Sequence, residues 1–312
     1  MRFDRNKYLP YCFVLTITLF HTGCTKDSPI PSNDNHQDVL IKYINIKYVS
    51  LLPSVLKESS GIVVSSSNRI WSHNDSGNSN QLFLTDSTGN LIRTLTISNA
   101  QNVDWEDVCA DPQGRIYIND AGNNNNNRTN LCIYRISDPN DIEGNTVNAD
   151  VISFTLEDQT EFPPPSTDRN YDIEAVAWKS DSIYMFTKDR SIPLTGFTKM
   201  YSIPATPGNH VAKLIDSYQI DGDANESRVT AADINHLTGE LVLLTRTRII
   251  SFKDYPNNLF FKGDIIDYKF TSAIGQAEAI GFIDYQNLFI TEEGSGNTSG
   301  KLYRVNLSTS LY

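Results

Sequence analysis

Residues 278–305 read EAIGFIDYQNLFITEEGSGNTSGKLYRV. An acid opens a short strand of small and apolar residues, and a polar turn follows. A second apolar strand then ends in Glu292 and Glu293, and a third carries Leu302 and Tyr303. Short runs of Leu, Ile, Phe, Tyr and Val broken by Asn, Asp and Gly are strand-and-turn chemistry. The same order occurs four times upstream. Copies start at Glu58 (ESSGIVV, RIWSHNDSG, QLFLTD), Glu106 (EDVCAD, RIYINDAG, LCIYRI), Glu174 (EAVAW, SIYMFTKDR, KMYSI) and Thr230 (TAADI, ELVLLTRTR, RIISF). Neighbouring starts lie between 48 residues (Glu58 to Glu106) and 68 residues (Glu106 to Glu174) apart. A repeat of that length with several strands per copy reads as a propeller blade.

Each copy needs a fourth, outer strand, and Leu91–Ile97, Val151–Leu156, Ala212–Ile220 and Ile265–Phe270 are the candidates. The fifth copy runs out of chain at Tyr312. The strand-like segment Val39–Leu51 (VLIKYINIKYVSL) belongs to no copy, so it is expected to supply the missing outer strand and close the ring. The expected fold is all-β: a single β-propeller over 39–312 with five four-stranded blades. Six blades fit only if the insert Glu157–Tyr171 or the stretch Asn257–Asp267 hides another; three consecutive prolines bar the insert from a central strand.

Upstream of the repeat the chain has the layout of an export signal. Arg2, Arg5 and Lys7 precede the apolar run Tyr11–Phe20, and small residues precede Cys24. The run is too short to span a bilayer. Residues 1–23 therefore read as a lipoprotein signal peptide, Cys24 as the lipid attachment point, and the polar, Pro-containing 24–38 as a flexible tether. Lys26-Asp27 resembles an outer-membrane sorting signal. An ordinary signal peptide cleaved nearby is the other reading. Both place the protein in the cell envelope, and the first anchors it to a lipid bilayer through acylated Cys24.

Removing residues 1–23 takes away three bases (Arg2, Arg5, Lys7) and one acid (Asp4), so the net charge moves from −11 to −13. That surface excludes nucleic acid and bare anionic lipid as partners and suits cations or neutral ligands. A monomer is expected. Cys109 and Cys132 remain in the body on different strands of one repeat; they read as small buried apolar residues, with a disulfide as the alternative.

In a propeller, the loop entering each first strand and the loop leaving each second strand share one face. Glu58, Glu106, Asp107, Glu174 and Glu278 are therefore expected around one mouth of the central channel. The second-strand ends His73, Asn74, Asp75, Asn119, Asp120, Lys188, Asp189, Arg190, Arg246, Glu292 and Glu293 should join them. Clustered carboxylates raise one another's pKa unless a cation lies among them. Glu58, Glu106, Asp120, Glu174 and Glu278 are the candidate metal ligands. An oxygen-only set selects Ca2+, with Mg2+ second. Zinc is disfavoured, because the five His residues are scattered and two, His21 and His36, precede the repeat. The same Asn and Asp residues are ordinary turn formers, so a structural role stands beside each ionic one.

Blade four departs from the pattern. Thr230 takes the acid's place, and Arg246 and Arg248 end the second strand. These bases either neutralise a neighbouring carboxylate or grip an anionic ligand. Trp105 is the tryptophan expected nearest the mouth, and Asn123–Asn127 reads as an exposed loop.

The stretches ESSGI (58–62), WSHNDSG (71–77), DWED (104–107), IYINDAGNN (116–124) and EAIGF (278–282) resemble the propellers of the SdiA-regulated type and the related esterase-like phytase domains. The resemblance spans most of residues 50–310 through short motifs at blade starts. It implies a β-propeller and a bound calcium, and it transfers no catalytic residue.

Two functions fit. The first is a metal-dependent hydrolase of a phosphoester, ester or lactone, in which His73 or Asp75 activates water and Arg246 orients the substrate. The second is a non-catalytic module that holds a small molecule, glycan, peptide or protein at the mouth. No phosphate loop, nucleophile elbow or thiol–histidine pair is present. A rim poor in aromatics argues against a glycan.

Overall fold

The tetrapeptide Leu241–Leu244 shows how the blades form. Leu241 and Leu243 enter one apolar cluster, and Val242 and Leu244 enter the next. Strand side chains alternate between faces, so a strand buried on both sides reads as a continuous apolar run. The computed structural model describes residues 39–296 and 298–311. The export segment, the tether and Cys24 lie outside the described residues.

Two strands precede the first repeat, β1 (Val39–Ile44) and β2 (Lys47–Leu51). Blade one comprises β3 (Ser59–Ser66), β4 (Arg69–Asn74), β5 (Gln81–Thr85) and β6 (Leu91–Ile97). Blade two opens with β7 (Val108–Ala110), β8 (Ile116–Asp120) and β9 (Cys132–Ile136). The two-residue β10 (Thr146–Val147) then crosses to pair in parallel with β6, and β11 (Asp150–Leu156) completes the blade. Blade three is β12 (Asp172–Lys179), β13 (Ser182–Lys188), β14 (Phe197–Pro204) and β15 (Gly208–Gln219). Blade four is β16 (Ala231–Ile234), β17 (Leu241–Leu244), β18 (Arg248–Lys253) and β19 (Asp264–Phe270). Blade five holds β20 (Ala277–Phe282), β21 (Asn287–Glu292) and β22 (Lys301–Asn306), with β2 antiparallel on its outer side.

The inner strands close a ring in which β3 neighbours β7 and β20, and β12 and β16 lie between those two. The fold is therefore a five-bladed β-propeller, as the repeat predicts, and neither the insert nor 257–267 hides a sixth blade. The N-terminal segment differs from expectation. Only Lys47–Leu51 closes blade five, whereas Val39–Ile44 pairs in parallel with β19 at the edge of blade four. Asn45 and Ile46 form the break between them.

Each blade interface has its own apolar cluster. Blades one and two bury Trp71 and Leu82 against Ile116 and Ile118; blades five and one bury Phe289 and Ala279 against Ile62 and Ile70. The inner strands carry small residues because five of them converge on one axis. A Cβ on Gly61 would lie 2.7 Å from His73 Nε2 and 2.7 Å from the Val108 nitrogen. The blade-start sequences ESSGI, EAVAW and EAIGF follow from that crowding.

Inner strands also present unpaired backbone groups to the channel, and buried side chains satisfy them. Asp107 crosses from blade two and accepts the amides of Val108 (2.8 Å), Val176 on β12 (3.0 Å) and Ala232 on β16 (3.1 Å). Asp233 accepts Ile234 N and, from blade five, Phe282 N at 2.7 Å. The Asn119 amide donates to the Ile173 carbonyl of blade three at 2.9 Å. Asp107 and Asn119 are thus ties between blades, buried inside the disc rather than ringing its mouth. Cys109 and Cys132 are buried free thiols on β7 and β9.

Candidate functional site at the acidic channel mouth

On the face where inner strands begin and second strands end, a cleft of about 160 Å³ opens on the channel axis. Glu106, Glu174 and Glu278 reach it from three blade starts, and Asp75, Lys188, Arg190, Arg246 and Glu293 from second-strand ends. Ser60, Asn124 and Gln276 complete the lining. Strand periodicity sorts the rest. Lys188 and Arg190 face the cleft, while Asp189 between them turns away to hold Ser191 N, Thr195 N and Gly196 N. Glu293 faces in, and Glu292 turns to Lys301 and Tyr303. Asn74 turns to the Val55 carbonyl.

Several predicted site residues do not reach the cleft. His73 shares the parity of Asp75 but lies one level deeper, fully buried edge-on against Trp105 at 5.5 Å. Its Nδ1 meets the Asn74 carbonyl at 3.0 Å, and burial holds its pKa down to about 4. The expected role for His73 in activating water is therefore corrected: it has no access to the cleft. Trp105, expected near the mouth, is also fully buried. Glu58 stands at the side, bound by Asn78 Nδ2 at 2.6 Å. Asp120 is buried behind the cleft, where Arg128 Nη2 (3.1 Å) and the Asp104 amide (3.0 Å) take Oδ1. Its Oδ2 has no hydrogen-bond partner among the described residues. Arg248 is tied to Asp267 at 2.8 Å and is a structural pair.

Two acids that the repeat phase did not single out join the site. Asp104 and Asp172 each precede a blade-start Glu by two residues, Asp104 in the loop before β7 and Asp172 beside an irregularity of β12 at Glu174, and their carboxylates come to the same side as Glu106 and Glu174. One oxygen each of Asp75, Asp104 and Glu106 lies within 4.8 Å of the others, and so do those of Glu106, Asp172 and Glu174. The second group has protein cations beside it. Lys188 Nζ reaches Glu174 at 2.9 Å, and Arg190 spans Glu174 (2.7 Å) and Asp172. The first group has no ion pair among the described residues. Gly122 backs it closely: a Cβ there would fall 2.2 Å from Glu106 Oε1 and 2.7 Å from Asp104 Oδ2.

The Asn run 123–127 builds the wall beside this group and is only partly exposed. Asn123 Oδ1 accepts Asn127 N and Arg128 N, and buried Asn126 holds Tyr171 N at 2.9 Å. Asn124 remains exposed on the cleft.

The electrostatics match a site short of positive charge. Burial and then the Asp172 and Asp75 charges push Asp104 up to about 6. Glu106 is raised well above the carboxylate range by burial and by Glu174, Asp75 and Asp172. Burial and Glu174 raise Asp172 to about 7 despite Arg190. Burial, Glu278 and Asp75 lift Glu293 to about 8. Arg246 donates only to neutral amides, Gln276 Oε1 at 2.7 Å and Asn225 Oδ1 at 3.2 Å, and has no ion pair among the described residues. The arrangement can hold a hard cation on oxygen ligands, hold protons near neutral pH, and present one guanidinium to an anion.

No family model and no curated protein matches the chain. Among solved structures it is similar to the PQQ-bound aldose sugar dehydrogenase of Streptomyces coelicolor (TM-score 0.49, 8% identity, 84% of this chain and 98% of that one). It is also similar to a Bacteroides thetaiotaomicron protein of unknown function (TM-score 0.47, 8% identity, 85% and 76%). A gluconolactonase of Xanthomonas campestris aligns at TM-score 0.40 and 14% identity over 76% and 68%.

Proposed function

We propose that this protein is an exported, lipid-anchored propeller that binds Ca2+ at the acidic mouth and hydrolyses an ester, lactone or phosphoester there. The observation that carries the reading is the Asp75–Asp104–Glu106 group: three converging carboxylates with no ion pair among the described residues, beside Asp172 and Glu174, which Lys188 and Arg190 pair directly. The donor set is all oxygen, which favours Ca2+ over a softer ion, with Mg2+ second. Acylation of Cys24 and an outer-membrane location belong to the same proposal, as does kinship with the SdiA-regulated propellers; the export-like N-terminus and the blade-start motifs support them.

Asp75, Asp104 and Glu106 would hold the ion. Asp75 then acts as a ligand rather than as the base expected from sequence. When bound, the cation supplies a positive centre that polarises a carbonyl or phosphoryl oxygen and acidifies water. Glu293, titrating near neutrality, takes a proton from the attacking water and returns it to the leaving oxygen. Arg246, which has no ion pair among the described residues, orients an anionic part of the substrate.

The test begins with thermal unfolding of residues 27–312 in EDTA, Ca2+ or Mg2+. A cation that binds only the folded state stabilises it by about 2.7 kcal/mol at a hundredfold excess over Kd. Ca2+ should raise the midpoint more than Mg2+ does, and Asp104→Asn with Glu106→Gln should abolish the rise. No rise with either ion would sink the ionic reading. Ca2+-dependent turnover of an ester, lactone and phosphoester panel should disappear in Glu293→Gln while the thermal shift survives. A shift with no turnover would identify a binding module whose calcium is structural.

A further inference from the structure

The opposite end of the channel holds a separate cavity of about 460 Å³, which shares no lining residue with the acidic mouth. The carboxylate of Asp107, fixed by amides of three blades, sits buried between the two faces. The cavity opens where inner strands end. Val63, Val64, Phe282 and Ile283 form its walls, and Trp71 lies at its side. The turn after β16 reaches over the opening. His236 Nε2 meets the Ala110 carbonyl of blade two at 3.1 Å and its ring stands edge-on to Trp178 of blade three. Asn235 Nδ2 bonds the Asp284 carbonyl of blade five at 3.1 Å. Three blades thus hold this turn, and it leaves Leu237 on the rim with 87% of its surface exposed.

The charge of this cavity is one-sided. Asp111, Asp138, Asp233 and Asp284 line it, and no Lys or Arg does among the described residues. Asp111 has its charge met by Arg115, which lies outside the lining. The remaining three have hydrogen-bond donors but no ion pair among the described residues; Arg304, outside the lining, is the base whose charge bears on Asp284. Burial opposes ionisation of both Asp233 and Asp284: it pushes Asp233 up to about 7, whereas at Asp284 the Gln286 and Asn287 donors outweigh it and hold the pKa down. A concave site of this size with apolar walls and a few fixed polar groups is the usual form of a small-ligand pocket. Acids without bases reject anions and attract cations.

We propose that this far-side cavity is a second binding site, for a small ligand with an apolar or aromatic body and a single positive charge, such as an arylalkyl ammonium. The body lies between Val63, Val64, Phe282 and Ile283, beneath the His236 turn, and the ammonium faces the Asp138–Asp233–Asp284 side. The inference is independent of the function proposed for the acidic mouth.

The probes are 2-(1-naphthyl)ethylammonium, 2-(1-naphthyl)ethanol and 1-naphthylacetate, which share a ring and differ in charge. Binding is read by calorimetry and ligand-observed NMR at low salt with saturating Ca2+, so that the acidic mouth is satisfied. The ammonium should bind about tenfold tighter than the alcohol, and the acetate weaker still. Val63→Trp, which fills the cavity, should abolish binding, and the smaller Ala110→Leu should weaken it in a chain with an unchanged unfolding midpoint. Glu106→Gln at the other mouth should leave it intact. Three results would overturn the proposal: no binding by the ammonium, equal binding of all three probes, or binding lost in Glu106→Gln yet kept in Val63→Trp.

Discussion

At the scale of single residues, position within the repeat decided most of what the chain presents at its mouth. Glu106, Glu174 and Glu278 reach the cleft because each stands at the start of a channel strand, Glu106 just ahead of β7 and the other two within the first residues of β12 and β20. Asp104 and Asp172 come with the first two, a signal present in the sequence as an acid two places upstream of each Glu. His73 illustrates what phase alone leaves open. It shares its facing with Asp75, yet the crowding of Gly61, Val108 and Trp105 puts it in the wall. Gly122 matters because its missing side chain leaves room for two carboxylates. In Gly122→Ala the new methyl would meet Glu106 and Asp104, forcing them apart. We expect the Ca2+-induced rise in midpoint to shrink by more than half while the unfolding transition in EDTA stays cooperative. A full calcium response in Gly122→Ala would place the cation elsewhere.

At the scale of elements, the two N-terminal strands look alike in sequence and act differently. Val39, Leu40, Ile41 and Tyr43 of β1 are largely exposed on the edge of blade four. By contrast β2 pairs along β22 and sends Val49 into the cluster between blades five and one. A chain beginning at Ile44 should lose no more than about 1 kcal/mol, since it forfeits edge pairing of exposed residues. A chain beginning at Leu52 opens blade five and should lose at least about 3 kcal/mol, with a tendency to associate through the bare β22 edge. Urea unfolding and light scattering of the two truncations check this. Equal stability would mean that closure by β2 contributes nothing.

At the scale of the whole molecule, the proton balance of the buried acids governs stability. Asp104, Asp172, Asp233 and Glu293 titrate at about 6, 7, 7 and 8 in the folded chain. All four sit above ordinary carboxylate values, so the folded state binds their protons more tightly than the unfolded state does. Their stabilisation is fully present below the unfolded values near 4 and is lost as pH rises through 6 to 8. His73 acts in the opposite direction, because its lowered pKa costs stability as pH falls from its unfolded value towards 4. In EDTA the unfolding midpoint should therefore fall steadily on going from pH 5 to pH 8. Saturating Ca2+ should flatten that fall, because the ion favours the deprotonated ligands. Calorimetric scans across pH with and without the ion measure both slopes; a midpoint that rises towards pH 8 in EDTA would contradict the assignment.

The sequence by itself determined the blade count, the strand order within each blade, and the acidic face of the disc. These depend on local periodicity: apolar alternation along each strand, an acid at four of the five blade starts and turn residues between strands. Tertiary structure alone decided which acids are ion-paired, because Lys188 and Arg190 reach Asp172 and Glu174 across strand ends while Asp75, Asp104 and Glu106 have no ion pair among the described residues. It also decided that Asp107 ties blades together inside the channel, that β1 leaves blade five for blade four, and that a second, acid-lined cavity forms on the far face. Each of these follows from distances between blades far apart in the chain, which no local pattern encodes.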